Sequence, residues 1–163
     1  MRSFVALAAA AVVSMLLQTT IFPAIPALPV VPDLILVLVV YLGVAHQTIG
    51  GAVGAFVLGY FLDTFSGTLL GLNTFALSAV YVGVQFVARH LWFERGFPVM
   101  ALALFGGAVR EVAAVAVGGL TAAPAPTWHH VMSTGIAGAV TASLVAPAVF
   151  AAVAWEKRLL GLA

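Results

Sequence analysis

The sequence predicts an all-α polytopic membrane protein with six transmembrane helices and both termini cytoplasmic, folded as a single integral membrane domain over residues 1–163. Three observations carry this. Of the 163 residues, 64% are hydrophobic and 7% charged, whereas an ordinary soluble domain carries about 25% charged residues. A helix needs about 20 residues to cross a hydrocarbon core of about 30 Å, so the chain accommodates about six spans and leaves no room for a soluble domain. With six spans, Arg2, Arg89, Arg95, Lys157 and Arg158 all fall on one side and the opposite connections hold no Lys or Arg. That is the positive-inside pattern. Five spans would set Arg2 opposite Lys157 and Arg158.

The first segment, 3–22, opens after Arg2. It reads as a retained helix rather than a signal peptide, because no small-x-small cleavage pattern follows the apolar run. The connection FPAIPALPVVP then places Pro23, Pro26, Pro29 and Pro32 three residues apart, the period of a polyproline II helix. It suits a stiff outer connector, or a docking ridge for an external partner. Its reach of roughly 30 Å means that helices one and two need not be neighbours. The second segment, 31–46, begins at Pro32 and Asp33, where a negative charge suits the positive end of the helix dipole. HQTIGG separates it from 48–65, DTFSGT leads to 69–88, RHLWFERGFP to 98–120, and TAAPAPTWHH to 131–154. Trp92 and Trp155 then lie at the inner interface and Trp128 at the outer one, where indoles are commonly found.

Small residues supply the packing signal. Gly50 and Gly54, then Gly51, Ala55 and Gly59, recur at i+4 along the third segment. Gly135, Ala139 and Ser143, beside Gly138, Ala142 and Ala146, do the same in the sixth. Lipid provides little hydrophobic drive for helix association, so close backbone approach is a main source of contact energy. These faces suit packing within the bundle or against the single helix of a partner.

The charged side chains raise a sharper question. The third segment runs outward, which puts Asp63 in the outer part of the membrane. Arg110 and Glu111 lie about 18 Å along the fifth segment and are deeply embedded. An ionised side chain near the centre of a span costs about 2.5 to 3.5 kcal/mol on insertion scales, so Arg110 must face a partner or water rather than lipid. Its offset from Asp63 is about 6 Å, within reach of a guanidinium stem, and an Asp63–Arg110 ion pair is expected. Glu111 points about 100° away from Arg110 and must address another neighbour. Asp33, Asp63 and Glu111 outnumber Arg110, the one cation among them. The excess implies a neutral Glu111, water in a cavity, or positive charge brought by a partner or ligand.

Other chemistry is weakly represented. Cysteine is absent, which excludes disulfides and thiolate sites. His129 and His130 are consecutive and lack the i, i+4 spacing of a helical metal pair, so they read as an interfacial helix start; His46 and His90 flank spans. There is no HExxH, GxSxG or phosphate loop and no basic run for nucleic acid, so no enzyme, metal or cofactor is expected.

Two stretches, PDLILVLVVYLG (32–43) and GAFVLGYFLDTFSGTLLGLNTFAL (54–77), resemble the rod shape-determining MreD family. The carrying positions are Pro32, Asp33, Gly54, Gly59, Asp63, Ser66, Gly67, Gly71, Leu72 and Asn73, and the specific match covers roughly 32–88. The resemblance implies a non-enzymatic inner-membrane component of the bacterial elongation machinery. It implies a fold similar to the S components of energy-coupling-factor transporters. It also implies partnership with MreC through that protein's transmembrane helix, and work alongside MreB, RodA and a class B penicillin-binding protein. In that light Ser66, Gly67, Gly71 and Asn73 would shape an outer turn or cavity, and Gly50, Gly51, Gly54, Gly59, Gly135 and Gly138 would receive a partner helix. The rival reading is a solute- or lipid-binding module whose outer cavity lies near Asp63, Asn73 and Arg110. An ion path would need a polar file across the membrane, and only the outer half supplies one.

Overall fold

The computed structural model describes residues 2–21, 32–66, 70–89, 97–120 and 135–159. Among these residues the protein is all-helical, with six helices and no strand. Helix α1 spans Arg2–Leu16 and continues as a π-helical turn over Leu17–Ile21. It is followed by α2 (Leu34–Ala45), α3 (Ile49–Ser66), α4 (Leu72–Ala88), α5 (Phe97–Leu120) and α6 (Ile136–Leu159). Each sequence-predicted segment corresponds to one of them, with ends shifted by a few residues. The proline-rich connection before Pro32, Gly67, and the positions of His90, Trp92, Arg95, Trp128, His129 and His130 lie outside the described residues.

The 12-residue helix α2 organises the rest. LILVLVVYLGVA is apolar on every side, and a helix of that kind is stable only where other helices cover it all round. Leu34 to Gly43 are buried without a break. The other five helices all touch α2, and they follow one another around it in the order α3, α4, α5, α6, α1. The core comprises Ile35, Leu36, Val39 and Val40 of α2 with Leu77, Val80 and Val84 of α4, Leu102 and Ala103 of α5, and Ala142 and Ala146 of α6. On the far side, Leu38 and Tyr41 meet Val153, and Tyr41 packs edge-on against Phe150 at 5.0 Å.

The turn between α2 and α3 is fixed from a distance. Thr48 N donates to His46 O at 2.8 Å, and the Tyr81 hydroxyl of α4 lies 2.8 Å from His46 O and 2.9 Å from Thr48 O, donating to one or the other. The sequence pattern in HQTIGG marks this break but gives no sign of the tyrosine that holds it.

Gly51, Gly54 and Gly59 of α3 pack within the molecule, the first of the two alternatives that the small-residue stripe offered. A Cβ on Gly59 would stand 2.5 Å from Thr74 Cα and 2.9 Å from Asn73 O; one on Gly51 would overlap His46 O and the Tyr81 hydroxyl; one on Gly54 would meet Leu42 at 3.3 Å. The three glycines let α3 lie directly on α4, the α2–α3 turn and α2. Gly50 is half-buried. The opposite face of α3, with Val53, Phe56, Val57, Tyr60, Phe61 and Phe65, is exposed.

Helices α5 and α6 contain stretches long and apolar enough to cross a membrane: Pro98–Gly119, with 22 residues and mean hydropathy 1.7, and Ile136–Trp155, with 20 residues and 2.1. Helices α2, α3 and α4 are shorter and apolar.

Gly59→Leu should be disruptive, because the three nearest atoms its Cβ meets, in Asn73 and Thr74, are all backbone and cannot swing aside. Overpacking of this kind costs about 1–3 kcal/mol. A thermal melt in detergent should shift downward. A Gly59→Leu protein that melts like the wild type would show that α3 and α4 separate easily.

Candidate functional site: the charged end of the bundle

Two carboxylates stand at the starts of two helices, and a third, Glu111, lies against Gly135. Asp33 is the N-cap of α2: Leu36 N donates to its Oδ1 at 3.0 Å, and Gln18 Nε2, from the π-helical turn after α1, donates to Pro32 O at 3.1 Å beside it. Asp63 closes the start of α4 from the last turn of α3. Its Oδ1 accepts from Asn73 N at 2.9 Å, and its Oδ2 accepts from Gly71 N at 2.9 Å, Thr74 N at 3.0 Å and the Thr74 hydroxyl at 2.6 Å. Only 2% of Asp63 is exposed. Glu111 lies over the start of α6, with its two carboxylate oxygens 2.9 Å and 3.0 Å from where Gly135 would carry a Cβ.

Gly71 makes the second of these arrangements possible. Its φ of 99° is in the left-handed region that favours glycine, and it turns the chain so that its own N–H and those of Asn73 and Thr74 converge on one carboxylate. The first N–H groups of a helix have no partner inside it, and a carboxylate there both satisfies them and meets the positive end of the helix dipole.

Arg110 ties the arrangement together. Its NH1 donates to Asp33 Oδ2 in an ion pair, and its NH2 donates to Asn73 Oδ1 at 3.2 Å. The chain of bonds therefore runs from Gln18 beside Pro32 and Asp33, through Arg110 and Asn73, to Asp63. It joins the first five helices at one level. The ion pair is largely shielded, with side-chain exposures of 27% for Arg110 and 16% for Asp33. Removing one partner of such a pair is expensive because it leaves the other charge without compensation.

The expected Asp63–Arg110 pair is thus replaced by Asp33–Arg110, for a specific reason. Both oxygens of Asp63 are taken by α4's first turn, whereas Asp33 uses one oxygen as a cap and leaves the other for the guanidinium. Among the described residues, Asp63 and Arg110 are joined through Asn73, whose N–H and amide oxygen bond to one each. The surplus of acid also finds an answer in the chain itself. A helix N-terminus carries about half a positive charge, and α2 and α4 each present one to a carboxylate, Asp33 and Asp63. Of the residues expected to shape an outer turn, Gly71 and Asn73 bond directly to Asp63, and Ser66 is the last residue of α3. Thr74 and Gln18 were not among the sequence candidates; a Thr three residues after a turn glycine, and a lone Gln in an apolar run, were the signals for them.

Arg110 is 13 residues along α5 from Phe97, or about 20 Å from that end of the bundle. Among the described residues, no group of three or more His, Asp or Glu side chains has the arrangement of a metal site.

An all-helical bundle with two helices fit to cross a membrane, aromatic and aliphatic side chains outside, and its paired charges turned inward defines a helical membrane protein. The family model of the rod shape-determining protein MreD matches residues 1–151. The chain belongs to the MreD family, and with it to rod shape determination. No curated protein and no solved structure matches it.

Asp63→Ala should lower stability by about 2 kcal/mol, the upper range for a lost helix cap, read from unfolding in detergent. In double-mutant cycles, Asp33→Asn with Arg110→Gln should show a coupling of about 1–3 kcal/mol. The cycle of Asp63→Asn with Arg110→Gln should show less; the reverse order would mean that Arg110 is paired with Asp63 after all.

Proposed function

We propose that this protein is a non-enzymatic scaffold of the bacterial cell-elongation complex, holding the transmembrane helix of MreC and so biasing how MreC's outer domain meets the peptidoglycan synthases. Membership of the MreD family over residues 1–151 is the observation that carries this reading. It brings in MreB, RodA and a class B penicillin-binding protein as further members of the assembly. It also suggests a multi-pass location in the inner membrane and an arrangement similar to the S components of energy-coupling-factor transporters.

A six-span topology with both termini in the cytoplasm fits the placement of the cluster. With the inner edge of a hydrocarbon layer of about 30 Å at the ends of α2, α4 and α5 nearest Ala45, Ala88 and Phe97, the cluster lies about two-thirds of the way across. Charges at that depth need partners within the protein, and Arg110, Asp33 and Asp63 have them. The same bonding favours a scaffold over a solute-binding module, because the polar groups expected to line a solute site are bonded to one another.

The MreC helix is assigned to α6. Of the small residues expected to receive it, Ala142, Ser143 and Ala146 are buried, Gly135 lies beneath Glu111, and Gly51, Gly54 and Gly59 pack internally. A Cβ at Gly138 meets nothing within 4 Å among the described residues. From Gly138 the face continues at helical spacing through Thr141, Val145, Ala148 and Ala152, none of them longer than a branched β-carbon. Close approach along such a face is how helices associate in lipid.

Gly138→Leu should reduce co-purification of MreC from native membranes about tenfold or more, as for loss of a central contact worth about 2 kcal/mol, while leaving the thermal melt unchanged. Undiminished capture would move the interface away from α6. Absence of MreC from the wild-type preparation would remove the scaffold reading itself.

A further inference from the structure

A second surface lies midway along α3 and α4. Helices α3 and α4 leave a groove of about 340 Å³ between them, lined by Ala52, Val53, Phe56, Ser78, Tyr81 and Val82. Two of these residues are polar, yet neither offers a polar group to an occupant. The Ser78 hydroxyl donates to Thr74 O at 2.7 Å within its own helix, and the Tyr81 hydroxyl is held by His46 O and Thr48 O. What remains is hydrocarbon. Ala52 and Ser78 are small, whereas Val53, Phe56 and Val82 stand out as walls, with exposures of 52%, 55% and 61%.

One end of the groove leads to a cation. Val82, Phe86 and Arg89 follow one another at i, i+4 and i+7, so they share one face of α4. Val82 and Phe86 are exposed, Arg89 closes the helix as its C-cap, and the rise from Val82 to Arg89 is about 10 Å. Arg89 is exposed and makes no ion pair among the described residues.

We infer that this groove binds one acyl chain of an anionic phospholipid, whose phosphate rests on Arg89. A groove between adjacent helices, with Val53, Phe56 and Val82 as walls, suits a single hydrocarbon chain. The cation at its mouth selects for negative charge. In the topology proposed above, this end faces the cytoplasm, where anionic lipid attracts basic side chains near the surface at about 1 kcal/mol each. The site is separate from the α6 face assigned to MreC and from the charged cluster, and lipid binding can be measured on the protein alone.

The test is native mass spectrometry of the purified, delipidated protein with equal amounts of phosphatidylglycerol and phosphatidylcholine of the same chain length. The wild type should retain phosphatidylglycerol about fivefold over phosphatidylcholine, the weight of one basic residue facing anionic lipid. Arg89→Gln, at an exposed position, should bring that ratio close to one without changing the thermal melt. Ala52→Phe, which fills the floor of the groove, should lower retention of both lipids. A ratio near one in the wild type, or an unchanged ratio in Arg89→Gln, overturns the proposal, as does full retention in Ala52→Phe. Dimers that Ala52→Phe converts to monomers would overturn it by assigning the groove to a second copy of the chain. Loss of MreC capture in Ala52→Phe with lipid retention intact would overturn it by assigning the groove to the partner's helix.

Discussion

The fold depends on how the start of α2 is closed. A 12-residue helix that is apolar on every side can sit at the centre of a bundle, but its first N–H groups and its dipole still need a partner. Asp33 provides it with one oxygen and holds Arg110 with the other. The carboxylate that caps the central helix is therefore also the counter-ion of the most deeply placed cation. Neither role would be stable alone: Asp33 without Arg110 would be a largely shielded anion, and Arg110 without Asp33 a largely shielded cation, each without its counter-ion. Asn73 extends the arrangement to α4, and Asp63 extends it from α4 to α3. Apolar packing around α2 brings the helices together without specifying their axial positions. The polar chain sets those positions, because each bond is made at one level of the bundle only.

The limits of the sequence follow from the same physics. Helix existence was legible, since each of the six apolar runs is bounded by prolines, glycines or charges, and the uniform apolarity of α2 is the mark of a central helix. The starts of α2 and α4 were partly legible in Pro32–Asp33 and in the glycines before Asn73. The partner of Arg110 was not. Asp33 and Asp63 are both within reach of a guanidinium on axial distance alone, and what separates them is whether their oxygens are already taken. That depends on the backbone between α3 and α4 folding back so that Gly71, Asn73 and Thr74 all donate to Asp63, which hydropathy and spacing do not encode.

The glycines teach a related lesson. A small-residue stripe records that some backbone comes close, without saying whose. In α3 it is the chain's own: Thr74, Tyr81 and Leu42 occupy the space that side chains at Gly59, Gly51 and Gly54 would need. Two glycines that the i+4 pattern does not single out, Gly106 and Gly107, do the same work for α5. Cβ atoms there would stand 3.0 Å from Val40 and 2.5 Å from Ala139. Glycine is thus concentrated where α3 and α5 meet their neighbours, and the faces left outside carry bulky apolar side chains suited to lipid.

This division bears on how such a protein acts. A bundle whose polar groups are bonded to one another, and whose close approaches are filled by its own backbone, has few ways to rearrange without exposing a charge or opening a gap. Weakening the Asp33–Arg110 pair would release α2, α4 and α5 together rather than one at a time, since all three are bonded at that point. A molecule built in this way is better suited to hold a partner in a fixed position than to follow it through large movements. Recognition would then take place on the outside of a rigid body, through shallow features such as the open Gly138 face of α6 and the α3–α4 groove, with the charged end keeping those two surfaces at a constant separation.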